Sequence, residues 1–340
     1  MIWNNWDKVC VFTPTREDIS SAGNSDKALL KKKFRQMPLS NLTKAEIEEN
    51  FIEIWTFEQL LEEWQLQGVF VQVIIAILAS YALFFGLGGY LQWYYYMQRK
   101  DKSDEWKCQP RRFLTADNER HEIFLGSICL FMNATTSGIL STYIKNGGNI
   151  TAVYFDIHDY GWFYFFTSFA ICFLLQDGAA YYYHRDDVKS LCITSLKRYS
   201  KCRMLHVPFF YRNFHKWHHR YPSPTAFGAL AMHPLESFFF EVVLLLPIFI
   251  VPFHFVVVII CFYYHFYYGL IDHSGIEMDS FWPWQPPTRF HDDHHKYFHC
   301  NFGLNSLLLD RFHGTLRQTD RQYGEDVFGG KGVSTDCNNN

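Results

Sequence analysis

The nine cysteines of this 340-residue chain include no CxxC pair and follow no regular spacing, and Cys129, Cys172 and Cys261 fall inside apolar blocks. That argues against a disulfide framework and for reduced thiols on a cytosol-facing protein. An excess of positive charge is also missing: the net charge of -3 argues against a general nucleic-acid binder. The first residues, MIWNNWDKVC, lack the short basic segment and apolar core of a secretory signal, so membrane targeting is expected from internal spans. No Glu-x-x-His occurs anywhere, which sets aside the carboxylate-bridged di-iron bundle.

What the chain has in quantity is aromatic residues, 19% of the total, gathered in long apolar blocks as lipid contact requires. Residues 1–56 are polar and without sustained periodicity, and read as a mobile tail with one short helix near 41–53. Residues 57–180 read as transmembrane helices. The stretch 68–96 exceeds the roughly 20 helical residues that cross a hydrocarbon core, and ends in Trp and Tyr suited to the interface. Further spans are expected at 122–144 and 154–176. Residues 181–325 form a histidine-rich domain, and 326–340 a disordered tail.

Within that domain an apolar block, Ser237 to Ile271, carries Pro247 and Pro252 near its middle. Proline removes a helical hydrogen bond and bends the chain, so 237–271 is expected to form a hairpin that enters the membrane and returns to the same side. The alternative, one long kinked helix, would put the flanking histidines on opposite faces. Segments 97–120 and 185–234 carry seven and nine Lys or Arg, against Lys145 alone in 145–153, which places the first two in the cytosol. Three single spans would then send the KKKFR tail to the lumen, a conflict removed if 68–96 is itself a hairpin around Gly86, Gly88 and Gly89. The expected architecture is an all-α integral membrane protein: about four or more transmembrane helices in a bundle, with a cytosolic histidine-rich helical cap.

Six of the sixteen histidines fall into two strongly patterned clusters. HKWHH places His215, His218 and His219 at i, i+3 and i+4, and HDDHH repeats the spacing with His291, His294 and His295. On a helix each set shares one face, and neutral imidazoles suit iron, zinc or copper, so two such triplets could bracket two metals. His206 and His273 join them as candidate ligands. His233 fits a helix-end hydrogen bond nearly as well as ligation. Asp292 and Asp293 lie between ligands and Asp177 precedes His184; each is a candidate for orienting imidazoles or a solvated or structural carboxylate. His121, His158, His299 and His313 read as ordinary histidines, and His254 and His265 as hydrogen-bonding groups within the apolar block.

These residues resemble the fatty acid hydroxylase superfamily, closest to its sterol desaturase and C-4 methylsterol oxidase-like branch. The likeness covers roughly residues 80–325, and is specific in HVPFFYRNFHKWHHRYPSPTAFGALAMHPLE, DHSG and FHDDHHKYFHCNFGLNSLLLDRFHGT. It implies a membrane enzyme of the endoplasmic reticulum with a histidine-bound di-iron centre facing the cytosol. Such an enzyme uses O2 and electrons from NAD(P)H, delivered through a small cytochrome or a reductase, to oxidise C–H bonds of a sterol or fatty-acyl lipid. The implied ligands are His184, His206, His215, His218, His219, His273, His291, His294 and His295. Tyr181, His184 and Arg185 match the first family motif, YxxHRxxH, but Val188 stands where its second histidine belongs. The pattern resumes at Leu205 and His206, as if DDVKSLCITSLKRYSKCR were inserted, either as a surface loop or as a short intron translated in frame. A zinc-dependent membrane hydrolase and a catalytically inactive protein of the same fold are the alternatives.

Overall fold

The computed structural model describes residues 8–12, 34–38, 53–55, 57–185, 205 and 208–334. Lys8–Phe12 (β1) pairs antiparallel with Phe34–Pro38 (β2) and Glu53–Trp55 (β3), the only three-stranded sheet among the described residues. The helix expected near 41–53 falls outside the described residues apart from Glu53, which opens β3.

The rest is mostly helical. After Phe57–Glu63 (α1), the chain forms Val69–Leu91 (α2), Ala116–Lys145 (α3) and Gly161–His184 (α4). Pro208–Asn213 (α5), Pro234–Leu245 (α6), Phe255–Asp272 (α7), Thr288–Tyr297 (α8) and Leu308–His313 (α9) follow. Among the described residues, α2 with its π-helical extension to Met97, α3, α4 and α7 are long and apolar enough to cross a membrane. Their outward faces remain apolar, with Phe70, Leu78, Phe124, Phe163 and Ile260 all exposed, which is the surface of a multi-pass membrane protein.

Block 68–96 is one helix and not a hairpin. Gly88 lies within it because a Cβ there would come within 2.9 Å of the Phe227 ring. Gly138 lets α3 approach α2 in the same way, 2.7 Å separating its would-be Cβ from Val73 Cα. Asn146, just past α3, donates to the carbonyls of Gln65 and Gln67, so α2 begins where α3 ends.

The block after Ser237 does fold back. Pro247 sits in a 3-10 turn, Leu246–Phe249, and Pro252 precedes α7. This bend pairs with the loop between α3 and α4: Ala152 N donates to Ile248 O, Tyr154 N to Phe253 O, and Phe255 N to Tyr154 O. The other ends of α6 and α7 both reach the histidines, through Glu236 and His273. A single kinked helix would have separated those two residues. The basic segment after α2 lies on the same face, since Lys107 donates to Ser223 and Gln109 to Asp292.

Candidate metal centre

Four elements deliver imidazoles to one place. Helix α4 runs to His184, eight residues beyond the span expected from hydropathy, and so carries that histidine out of the apolar bundle. HKWHH forms a 3-10 turn, His215–Arg220; His273 caps the C-terminus of α7; and HDDHH lies on α8. The result is two groups: His184, His215, His219 and His294 in one, His218, His273, His291 and His295 in the other. Within each group the nitrogens that could bind an ion all lie within 4.8 Å of one another, and all eight residues are buried. Each triplet therefore divides between the groups, two and one from HKWHH, one and two from HDDHH. The groups adjoin, with the rings of His219 and His295 5.0 Å apart.

Hydrogen bonds fix the ring orientations. Nδ1 of His184 faces Phe302 O at 2.9 Å, Nδ1 of His294 faces Cys300 O at 2.7 Å, and Nδ1 of His215 faces Glu236 Oε1 at 2.5 Å. Nδ1 of His273 faces both Gly269 O at 2.8 Å and Asp272 Oδ1 at 2.5 Å. An acceptor opposite Nδ1 assigns the proton to that atom, so a neutral ring turns the lone pair of Nε2 inward. At the second group this has a clear result: His273 Nε2 lies 3.1 Å from His218 Nε2 and 3.0 Å from His291 Nε2. One lone pair cannot serve two ring nitrogens, and both nitrogens of His295 are buried with no hydrogen-bond partner among the described residues. A cation between converging lone pairs satisfies all of them. The donor set therefore fits two metal ions.

The electrostatics agree. Burial first, and then the neighbouring imidazoles, hold His215, His219, His291, His294 and His295 well below the ordinary value of 6.5. Burial does the same for His218. Deprotonated imidazole is the form that binds a metal.

The carboxylates that orient imidazoles are Glu236 and Asp272, neither of which stood out in the sequence. Asp272 precedes His273 directly, a signal that adjacency could have given; Glu236 had none. Asp292 and Asp293, the carboxylates expected there, turn away. At about 100° per residue they leave the α8 face that His291, His294 and His295 share, and Asp292 accepts from Gln109 at 3.0 Å while Asp293 pairs with Arg317 at 2.9 Å. Asp177 is likewise occupied, accepting from Asn305 N at 2.9 Å. His233 belongs to neither group: it caps α6, its Nδ1 accepting from Leu235 N. His121, His158, His254 and His313 hydrogen-bond to Tyr221, Asp156, Phe155 and Tyr182. His206 lies outside the described residues.

Residues 188–315 match the family profile described as fatty acid hydroxylase. The chain carries a fatty acid hydroxylase domain. The match starts four residues after His184, so the profile does not reach that histidine, which the geometry places with the others. Relatives of the hydroxylase domain include the Delta(7)-sterol 5(6)-desaturase of Candida dubliniensis, 31% identical over 135 residues, which are 39% of this chain and 34% of that protein. Fatty acid hydroxylase domain-containing protein 2 of Homo sapiens is 29% identical over 156 residues, 45% of this chain and 39% of that protein. Lathosterol oxidase of Rattus norvegicus is 25% identical over 182 residues, 52% of this chain and 55% of that protein. The chain thus spans between 34% and 55% of the length of these relatives. No solved structure matches it.

The imidazoles close one end of a cavity of about 750 Å³ that runs into the helix bundle. His184, His215, His218, His273 and His291 face it at that end, and Leu130, Leu244, Ile248, Val258 and Phe262 are among the apolar residues that line the rest. Its size lies within the range of small-molecule sites.

Proposed function

We propose that this chain is an iron-dependent membrane oxidase that uses O2 to oxidise C–H bonds of a sterol or other lipid. The observation that carries this reading is the join between two groups of buried imidazoles and an apolar cavity of lipid size. His184, His215, His219 and His294, with His206 from the sequence resemblance, would hold one iron; His218, His273, His291 and His295 would hold the other. Bound there, a di-iron centre supplies the redox chemistry that oxidises an unactivated C–H bond with dioxygen.

The chain's own residues do the rest. Glu236 and Asp272 keep the Nδ1 protons of His215 and His273, so that each Nε2 lone pair faces inward. The carbonyls of Phe302 and Cys300 do the same for His184 and His294. Leu130, Leu244 and Phe262 exclude water and present the hydrocarbon to the imidazole end.

The basic segment 97–120 shares the histidine face, which favours a site open to the cytosol, with electrons from NAD(P)H arriving through a small cytochrome. The names of the sterol-oxidising relatives favour the endoplasmic reticulum membrane and a place in sterol or lipid biosynthesis. The test is metal analysis of the full chain purified in detergent, followed by turnover of a cellular lipid extract. Iron, with conversion that requires both NADH and oxygen, is the expected result. Zinc supporting oxygen-independent cleavage would replace the oxidase with a hydrolase, and a folded, metal-free protein would make it an inactive member.

A further inference from the structure

Helices α3 and α6 carry a polar ladder into the mostly apolar cavity. Asn133 Nδ2 donates to Ser237 Oγ at 3.0 Å, and Ser137 donates to Glu241 Oε1. The rungs are four residues apart on both helices, so they stack one turn apart, about 6 Å. Neither rung is complete. Glu241 Oε2 and Asn133 Oδ1 are buried with no hydrogen-bond partner among the described residues, although Glu241 is only 2% exposed. Glu241, Asn133 and Ser137 all line the cavity. Unpaired polar atoms are costly inside a membrane bundle and mark function there.

We propose that Glu241 and Asn133 form a subsite that anchors the hydroxyl group of a lipid whose apolar body fills the remaining cavity. The chemistry selects a hydroxyl. Asn133 Oδ1 can only accept, whereas the free oxygen of Glu241 accepts when the carboxyl is ionised and donates when it carries the proton. With Glu241 protonated, a hydroxyl donates to Asn133 Oδ1 and accepts from Glu241, so one small group completes both rungs. A carboxylate or phosphate would offer only acceptors to Asn133 Oδ1, and a quaternary ammonium has no proton to give.

The position also has a consequence. Glu236 meets His215 at the near end of α6, and Glu241 lies five residues deeper, about 7.5 Å along the axis. The anchor therefore sets how far the lipid advances and which of its carbons lies at the imidazoles. This role as a positioning site rests on the cavity being the substrate site proposed above.

Equilibrium binding tests it without turnover. Two tritiated probes, cholesterol and cholest-5-ene, the same sterol without its hydroxyl, are titrated onto the full chain in detergent by scintillation proximity. The wild type should bind cholesterol roughly tenfold more tightly, the worth of about one hydrogen bond. Glu241→Leu and Asn133→Ala should remove that preference while leaving the affinity for cholest-5-ene in place, which also reports that each variant keeps its cavity. Glu241→Gln, which can still receive Ser137 and donate to a hydroxyl, should retain most of it. Equal wild-type affinities, no binding of either probe, or a preference that survives in both Glu241→Leu and Asn133→Ala would overturn the subsite. Because binding needs neither iron nor oxygen, the oxidase reading stands or falls separately on metal content and oxygen-dependent conversion.

Discussion

The amide of Leu205 donates to the carbonyl of Tyr183 at 3.3 Å, across twenty-one intervening residues. If residues 186–203 were absent, Leu205 would stand four positions after Tyr183, and this contact would be an ordinary α-helical hydrogen bond. Tyr183 and Leu205, which flank the segment, are thus already side by side, at the spacing of a continuous helix, next to His184.

Deleting residues 186–203 should therefore leave the protein folded and its metal content unchanged, because the flanking residues Tyr183 and Leu205 already meet. It would also make HRxxH contiguous, as His184, Arg185, Met204, Leu205 and His206. Metal stoichiometry and melting temperature of the deletion variant check this; loss of metal would mean that the segment supports the site. Sequencing the transcript answers the related question of whether those 54 nucleotides, three for each of the eighteen codons, are retained in the message.

Removing an imidazole should act on the group to which it belongs. His294→Ala and His295→Ala are neighbours in sequence but serve different groups. Each should lower the metal content by at least one ion per chain, measured by plasma mass spectrometry, and His294→Ala should leave a residual signal if the groups load independently. His158→Ala, remote from both groups and exposed, should change nothing.

Glu236→Gln and Asp272→Asn keep the shape of each side chain but weaken the acceptor that holds a ligand ring. Both should reduce metal affinity by roughly 10- to 100-fold, the usual effect of losing such a partner. Competition with a chelator of known affinity measures it. Asp292→Asn, whose carboxylate meets Gln109 and no imidazole, should fall well short of that effect.

Acid should destabilise the metal-free protein in a defined window. His215, His219, His291, His294 and His295 titrate well below 6.5 when folded, because burial disfavours the charged ring. Their unfolded forms take up protons near the ordinary value of about 6.5. Below that pH the unfolded state binds more protons than the folded one, so stability is fully present above about 6.5 and falls with pH beneath it. These histidines should lower the melting temperature of the metal-free protein between pH 6.5 and 5.5, while the buried Glu236 carboxyl, pushed up to about 8 by burial, acts in the opposite direction as pH falls. Bound metal should oppose the decrease, since protons and metal compete for the same lone pairs.

The sequence by itself determined the membrane-spanning class, because an apolar run of sufficient length has few stable alternatives in water or lipid. It also marked the histidines that gather, since HKWHH and HDDHH are local spacings. Tertiary structure decided how those histidines divide. Which nitrogen meets which depends on where α4 ends, on the bend at Pro247 and Pro252, and on the angle between α8 and the 3-10 turn, none of which a local pattern encodes. The roles of Glu236 and Asp272, in place of Asp292 and Asp293, follow from the same cause: a carboxylate orients a ring only when the fold turns it toward one. The pairing of Asn133 and Glu241 across the cavity is likewise a relation between helices more than 100 residues apart, made when α3 and α6 pack side by side.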